Sequence, residues 1–159
     1  MLPRTYDKQV CSIARTLEHI GDRWTMLIVR DAFLGVRRFD DFQRELGVAR
    51  NVLTDRLGRL VDEGILEKSA YQERPERFEY RLTEKGKELQ PAILTLMKWG
   101  DDHLAPDGPP VLLEHTECGH DTEPMLVCSH CREPLNTRNV KPKPGPGLLA
   151  EQARDSEAA

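Results

Sequence analysis

Apolar residues recur at helical spacing in the first third of the chain. Ile13, Leu17 and Ile20 are spaced i, i+4 and i+7, which places them on one face of a helix for which Ser12 is the expected N-cap. A second apolar segment covers residues 24–33 and follows Asp22, a residue type that caps helices well. The pattern predicts two successive amphipathic helices.

Two further helices are separated by a three-residue turn. Asp40 and Gln43 are spaced as in a capping box, which predicts the start of a short third helix. The turn covers residues 47–49, and its glycine can adopt a positive φ at little cost. A longer helix then runs to about residue 63, with core-facing positions Leu53, Leu57 and Leu60. This order of helix, short turn and helix is the helix-turn-helix layout.

The apolar period changes from 3.6 to 2 after this helix. Phe78, Tyr80 and Leu82 alternate with charged residues, which is typical of a strand. A partner strand is expected over residues 65–71, with a polar tip over 72–76. A hairpin directly after a helix-turn-helix is a wing, so the predicted fold class is mainly α with a β-hairpin wing over residues 1–104.

The last predicted helix of this domain covers residues 84–103. Thr83 is its expected N-cap, and Pro91 should kink or restart it. The rest of the subunit has little surface left to cover its apolar stripe, which consists of Leu89, Ile93, Leu96 and Met97. We therefore expect a symmetric homodimer through this helix and the N-terminal helix. The alternative is that the helix folds back on the first helix of its own subunit.

The formal net charge of −4 combines two differently charged parts. Residues 1–100 carry 18 basic and 16 acidic side chains, whereas residues 101–159 carry 5 basic and 11 acidic ones. Nearby basic side chains neutralise phosphates, so the net charge does not exclude DNA as the partner of the first part. No apolar run reaches the roughly 20 residues of a membrane span, and the start lacks the apolar segment of a secretory signal. The cytoplasm is the expected compartment, with no membrane partner.

Five segments carry a family resemblance, namely CSIARTL from residue 11, IGDRWTMLIVRD from 20, RRFDDF from 37, VLTDRL from 52 and YRLTEKG from 80. In this order and spacing, over about residues 6–100, they resemble the HxlR-type family of bacterial winged-helix regulators. The resemblance implies a dimeric DNA-binding repressor or activator, often responsive to electrophiles, oxidants or metabolites. Two positions depart from the pattern. Ala49 stands where a capping serine is usual, and Gly58 inside the recognition helix costs about 1 kcal/mol relative to alanine.

The outward face of the helix after the turn offers side chains that can bind bases. Arginine can pair bidentately with guanine and asparagine with adenine, and each such pair discriminates by about 1–3 kcal/mol. Arginines before the third helix would hold phosphates without reading sequence. Those at the wing tip would reach the minor groove or the backbone, or else form a self-paired exposed loop. The predicted DNA-binding residues are Arg37, Arg38, Arg50, Asn51, Thr54, Asp55, Arg56, Arg74 and Arg77.

A second module is predicted over residues 111–140, after a linker over 104–110. One histidine and three cysteines are spaced as two knuckles, which suits structural Zn²⁺ in a small zinc-ribbon-like appendage. The predicted ligands are His115, Cys118, Cys128 and Cys131. His120 and His130 compete for the fourth position, and the alternatives are idle reduced thiols or a redox pair in the second knuckle. Residues 141–159 are expected to form an extended or disordered tail.

The remaining cysteine, Cys11, precedes the first helix, where a thiol can acquire a lowered pKa. In the resembled family a cysteine at this place can sense oxidants or electrophiles. The alternative is a small buried apolar residue.

The chain shows no paired carboxylates, nucleophile elbow or phosphate loop, so no enzyme is predicted. The sequence instead predicts a homodimeric, sequence-specific transcriptional regulator, expected to be a repressor, with double-stranded DNA and a small-molecule effector as partners. The alternative is a protein-interaction module that uses the winged scaffold and the ribbon without reading DNA.

Overall fold

The computed structural model describes Tyr6 and residues 9–157, so residues 1–5, 7–8 and 158–159 of the predicted domains lie outside the described residues. The described chain contains seven helices and two two-stranded antiparallel sheets. The helices are α1 (Ser12–Ile20), α2 (Arg23–Phe33), α3 (Phe39–Leu46), α4 (Arg50–Asp62), α5 (Glu84–Lys87), α6 (Gln90–Leu104) and α7 (Pro146–Glu157). The strands are β1 (Leu66–Glu73), β2 (Glu76–Leu82), β3 (Leu113–His115) and β4 (His120–Thr122).

The first two helices begin differently. Asp22 caps α2 as predicted, because its carboxylate accepts hydrogen bonds from the backbone N–H groups of Trp24 and Thr25 at 3.0 and 3.1 Å. The prediction that Ser12 caps α1 is wrong. Cys11 has the extended backbone of an N-cap and Ser12 is already the first helical residue, so its side chain does not cap the helix.

The start of α3 also differs from the sequence pattern. The helix begins at Phe39, one residue before the expected capping box, and no side chain caps it. Asp40 and Asp41 therefore lie in the first turn, where a negative charge interacts favourably with the helix dipole. The end of α3 is as predicted, since Gly47 adopts a φ of 61° and closes the helix.

The hydrophobic core lies where α4 packs against α2 and α3. The three predicted core leucines of α4 are at most 1% exposed, which confirms the orientation of this helix. The base of β1 closes the core from the wing side. The fully enclosed members are Ile28, Val29, Phe42, Leu53, Leu57, Leu60 and Leu66.

The wing is longer than the sequence pattern indicated. Its strands pair from Leu66 and Leu82 at the base to Glu73 and Glu76 at the end, so the turn consists of Arg74 and the following proline alone. The expected polar tip over 72–76 is mostly strand. The residues near the end of the hairpin have polar side chains. The apolar pattern of the sequence therefore does not show where the strands end.

The helix after the wing is divided at the proline. Thr83 caps α5, because its hydroxyl accepts a hydrogen bond from the backbone N–H of Gly86 at 3.1 Å. After α5 ends, α6 begins at Gln90 with Pro91 in its first turn, where a missing N–H costs little. Of the two predicted effects of this proline, the structure shows the restart.

Apolar side chains of α1 and α6 remain exposed within the subunit. Ile13 is 71% exposed and Leu17 is 47% exposed, so the subunit buries only Ile20 of the predicted α1 stripe. On α6, which contacts α2, Ile93 packs against the core whereas Leu96 and Trp99 are exposed.

The region after α6 lacks a core of its own. No described residue from 105 to 156 is buried, and its regular structure is limited to the β3–β4 hairpin and α7. The prediction of an extended or disordered tail is corrected for Pro146–Glu157, which forms α7. Among the described residues, no helix combines the length and the apolarity of a bilayer span.

Candidate nucleic-acid interface

The outer face of α4 carries polar side chains that point away from the core. Arg50, Asn51, Thr54 and Asp55 are all exposed, opposite the buried leucines. The Thr54 hydroxyl donates a hydrogen bond to the carbonyl oxygen of Arg50 at 2.9 Å, which holds one of these side chains against its own helix. All four remain accessible, so the helix that follows the turn presents a polar surface.

Arg56 has a different environment from the other predicted contact residues. Its side chain is only 24% exposed, and its Nε lies 3.0 Å from the Asp22 carboxylate, the N-cap of α2. It also pairs with the neighbouring Asp55. The guanidinium thus ties α4 to the start of α2, so Arg56 positions the helix instead of extending from its outer face.

The Asp22 carboxyl group joins two helices. Burial alone would raise its pKa, but hydrogen bonds from Thr25 and the positive charge of Arg56 outweigh burial and hold the pKa of Asp22 below its ordinary value of 3.8. The ionised form is therefore favoured in the folded state, and stability depends on it.

The arginines before α3 are attached to the wing. The backbone N–H of Tyr80 donates to the carbonyl oxygen of Arg37 at 2.8 Å, and Arg38 forms a β-bridge with Glu79. The guanidinium of Arg38 lies over the ring of Tyr71, 4.6 Å from its centroid. Both arginine side chains remain exposed, so the wing and the start of α3 present basic groups on one continuous surface.

A groove of about 600 Å³ separates the wing from α3 and α4. Arg50 faces this groove and is held by two contacts, since its guanidinium lies 4.5 Å from the centroid of the Phe39 ring and 3.5 Å from the Asp40 carboxylate. Sequence reasoning missed the aromatic lining of the groove. The signals in the sequence were two aromatic residues, Phe39 at the start of α3 and Tyr71 on β1. The lining includes Arg38, Phe39, Arg50, Tyr71, Arg77 and Phe78.

The wing tip combines both signs of charge. Arg74 and Arg77 are exposed. Glu73 and Glu76 are cross-strand neighbours at the end of the hairpin, so two negative charges lie beside these arginines. The Gln72 side chain donates to the carbonyl oxygen of Arg74 at 3.0 Å, which orders the turn. The neighbouring glutamates therefore offset the positive charge of the arginines at this tip.

The predicted metal ligands form two separate pairs. His115 Nδ1 lies 3.3 Å from Cys118 Sγ. In the second pair, hydrogen bonds from the backbone N–H groups of Cys131 and His130, together with one from the Cys131 thiol, lower the pKa of Cys128. Within the described part of the chain, no three potential ligands are gathered closely enough to hold an ion. The structure therefore does not show the predicted zinc-ribbon-like module.

The fold and this surface together define a winged helix-turn-helix protein, since a two-stranded wing follows a helix whose polar face is open. The family model described as HxlR-like helix-turn-helix matches residues 19–108. The chain belongs to this family of transcriptional regulators.

Relatives support the same assignment over most of the chain. The HTH-type transcriptional regulator Rv3095 of Mycobacterium tuberculosis is 50% identical over 143 residues, which cover 89% of this chain and 90% of the relative. The structure of PA1607, described as a candidate transcription factor, has a TM-score of 0.77 and 38% identity, and covers 87% of this chain and 97% of its own. The structure of the redox regulator HypR in its oxidised form has a TM-score of 0.55 and 32% identity, and covers 58% of this chain and 97% of its own.

Asp22→Ala should lower the free energy of unfolding by about 1–2 kcal/mol at neutral pH, because it removes an N-cap and the partner of Arg56. The folded-state pKa of Asp22 is depressed, so this stabilisation is present above pH 3.8 and disappears as the pH falls further. Urea unfolding of both proteins at pH 7 and at about pH 3 measures the difference.

Asp62→Ala is the matched control, since this aspartate is exposed at the end of α4. It should change stability by less than about 0.5 kcal/mol at either pH. An Asp22→Ala effect that stays the same at both pH values would show that the ionised carboxylate is not what stabilises the helix junction.

Proposed function

We propose that the protein is a homodimeric, sequence-specific DNA-binding repressor that acts in the cytoplasm by binding and not by catalysis. The observation that carries the proposal is the open polar face of α4, which has Arg50, Asn51, Thr54 and Asp55 exposed while its leucines are enclosed by the core. A helix held in this way can enter the major groove with its N-terminal residues at the base edges.

The proposed contacts divide into two groups. Arg50 and Asn51 lie in the first turn of α4 and are the residue types that pair bidentately with guanine and adenine. Arg37 and Arg38 lie beside the wing and would bind phosphates, which fixes register but carries no sequence information. The wing arginines, Arg74 and Arg77, would contact the adjacent minor groove or backbone.

Reading a base with Arg50 requires an exchange of partners. In the free protein its guanidinium faces Phe39 and the Asp40 carboxylate, and both charged side chains are largely exposed. An exposed ion pair of this kind contributes no more than about 1 kcal/mol, so DNA can displace it at small cost. Phe39 and Asp40 would then keep the side chain near the mouth of the groove before binding.

Homodimerisation is supported by the apolar surface of α1 and α6. Ile13, Leu96 and Trp99 are 71%, 60% and 56% exposed. Removing such side chains from water contributes about 25 cal/mol per Å² of apolar surface. A second copy of the chain, related by a twofold axis, would cover both helices and place two α4 helices for adjacent half-sites.

Cys11 is proposed as an oxidation sensor of this dimer. It is the N-cap of α1, it is half-buried, and its thiol is free. Its location at the start of a helix with exposed apolar residues would couple its oxidation state to the dimer interface. The similarity to a redox regulator whose structure is known in its oxidised form favours the same kind of response here.

Arg50→Ala should weaken binding to a duplex selected from a random pool by about 10- to 100-fold, since one bidentate base pairing is lost. Arg154→Ala, an exposed arginine of α7, is the charge-matched control and should change affinity less than about twofold. Fluorescence anisotropy across a salt series measures this affinity. In a reporter assay, the unmodified protein should silence a promoter that carries the selected site. Binding that ignores both sequence and salt would favour the protein-interaction module instead.

Leu96→Glu should convert the dimer into single subunits, because a charge cannot be buried in an apolar interface without a partner. The chain has a mass of 18.2 kDa. In sedimentation, the unmodified protein should have about twice this mass, and the variant should have the mass of a single chain. Leu34→Glu alters a residue at the end of α2 that is 73% exposed and should leave the dimer intact. An unmodified protein that sediments as one chain would remove the basis of this proposal.

Diamide should change the affinity of the dimer for its selected duplex by about fivefold or more, and dithiothreitol should reverse the effect. In this reaction the Cys11 thiol joins a second thiol in a disulfide, and diamide takes up the two hydrogens. Cys11→Ser should not respond. Unchanged affinity in both proteins, or the same response in both, would end the sensor hypothesis.

A further inference from the structure

The segment from residue 105 to 156 requires a source of stability other than a hydrophobic core. None of its described side chains is buried, and Met125, Leu126 and Val127 are among its exposed apolar residues. Segments of this size commonly depend on disulfides or metal ions in addition to apolar burial. All three of its cysteines are free thiols. A metal ion is therefore the first candidate for what holds it together.

The two ligand pairs lie in turns with the same backbone hydrogen bond. In the first turn, the N–H of Gly119 donates to the carbonyl oxygen of His115 at 2.8 Å. In the second, the N–H of Arg132 donates to the carbonyl oxygen of Cys128 at 2.9 Å. Each turn thus begins with one potential ligand and has a second ligand three positions later. The residue after the second ligand donates the hydrogen bond that closes the turn.

The residues that close the turns also share a conformation. Gly119 has a φ of 68° and Arg132 a φ of 65°. Glycine adopts this left-handed backbone freely, whereas an arginine does so at a cost in free energy. Arg132 is the only residue other than glycine with a positive φ in the described part of the chain. Such a conformation persists only where the surrounding structure requires it, and here it completes the second turn.

Each turn sits at the end of a small antiparallel ladder. The first closes the β3–β4 hairpin, in which His115 pairs with His120. The second is flanked by a β-bridge between Val127 and Pro134 and by a hydrogen bond from the N–H of Cys128 to Glu133. Two turns that each present a ligand pair can together supply the four protein ligands of a structural Zn²⁺ site.

We propose that these turns form a zinc site in which His115, Cys118, Cys128 and Cys131 bind one Zn²⁺. Three thiolates and one imidazole match the preference of zinc for sulfur and nitrogen ligands. His115 is the better fourth ligand because it faces the Cys118 sulfur, while His120 directs its Nδ1 to the Cys118 carbonyl oxygen at 2.7 Å.

The two pairs are half-sites that the ion would join. No three ligands converge in the described residues without it. Nine residues connect Cys118 to Cys128, and an extended chain of that length spans up to about 30 Å, so the connector permits both turns to reach one ion. The inference does not depend on DNA binding, since the site lies outside the winged domain.

The test uses the full chain purified under reducing conditions without chelator. Elemental analysis should give about one Zn²⁺ per chain, and Co²⁺ in its place should produce the visible bands of a tetrahedral thiolate site. Cys128→Ser should lose most of the metal, whereas Cys11→Ser should keep it. His115→Ala should lose more metal than His120→Ala. Wild-type protein that neither contains zinc nor binds Co²⁺, or equal loss in Cys11→Ser, would overturn the proposal.

A second measurement does not depend on variants that fold. Trypsin should cleave after Arg132 and Arg138 about tenfold faster once a chelator removes the ion, while residues 12–104 remain equally resistant. Unchanged cleavage would overturn the proposal. The chain is then denatured with chelator and without added reductant, and its thiols are titrated with a thiol reagent. Four thiols are expected, whereas two would identify a disulfide in place of the metal site.

Discussion

The burial of three leucines of α4 is the interaction on which the rest of this structure depends. Leu53, Leu57 and Leu60 are at most 1% exposed, and each fully buried leucine contributes about 1.5–3 kcal/mol. Since the helical period is 3.6 residues, fixing this face inward also fixes which side chains face outward. A rotation of the helix by one residue would expose the leucines and turn Arg50 and Asn51 away from the open surface. The core and the candidate interface are therefore two consequences of one orientation.

Polar contacts refine what the leucines establish. The Asp22 carboxylate caps α2 and pairs with Arg56 of α4, so the same group ends one helix and anchors the other. The start of α3 is attached to the wing by the hydrogen bond from the Tyr80 N–H to Arg37 and by the contact of Arg38 with Tyr71. The helix-turn-helix and the wing consequently form one unit, and basic groups separated along the chain face a common groove.

The C-terminal part of the chain follows different physics. The winged domain is held by apolar burial, whereas no described residue from 105 to 156 is buried. Its order rests on short ladders, on two closely similar turns and on the contact of Glu123 with Lys98 of α6, whose charged groups lie 3.0 Å apart. The proposed zinc ion would supply stability that apolar packing does not. The 50% identity to the mycobacterial relative extends over 89% of the chain and therefore includes much of this part.

Local chemistry in the sequence determined the elements of the winged domain. The leucine spacing, the cap at Asp22, the turn at Gly47 and the cap at Thr83 each act within a few residues, so a linear pattern contains them. The tertiary structure decided what depends on distant partners. It turned Arg56 toward Asp22 and placed Phe39 and Tyr71 beside arginines, and it left Ile13 of the apolar α1 stripe exposed. Periodicity shows which face of a helix is apolar, but only the packed chain decides whether anything covers that face.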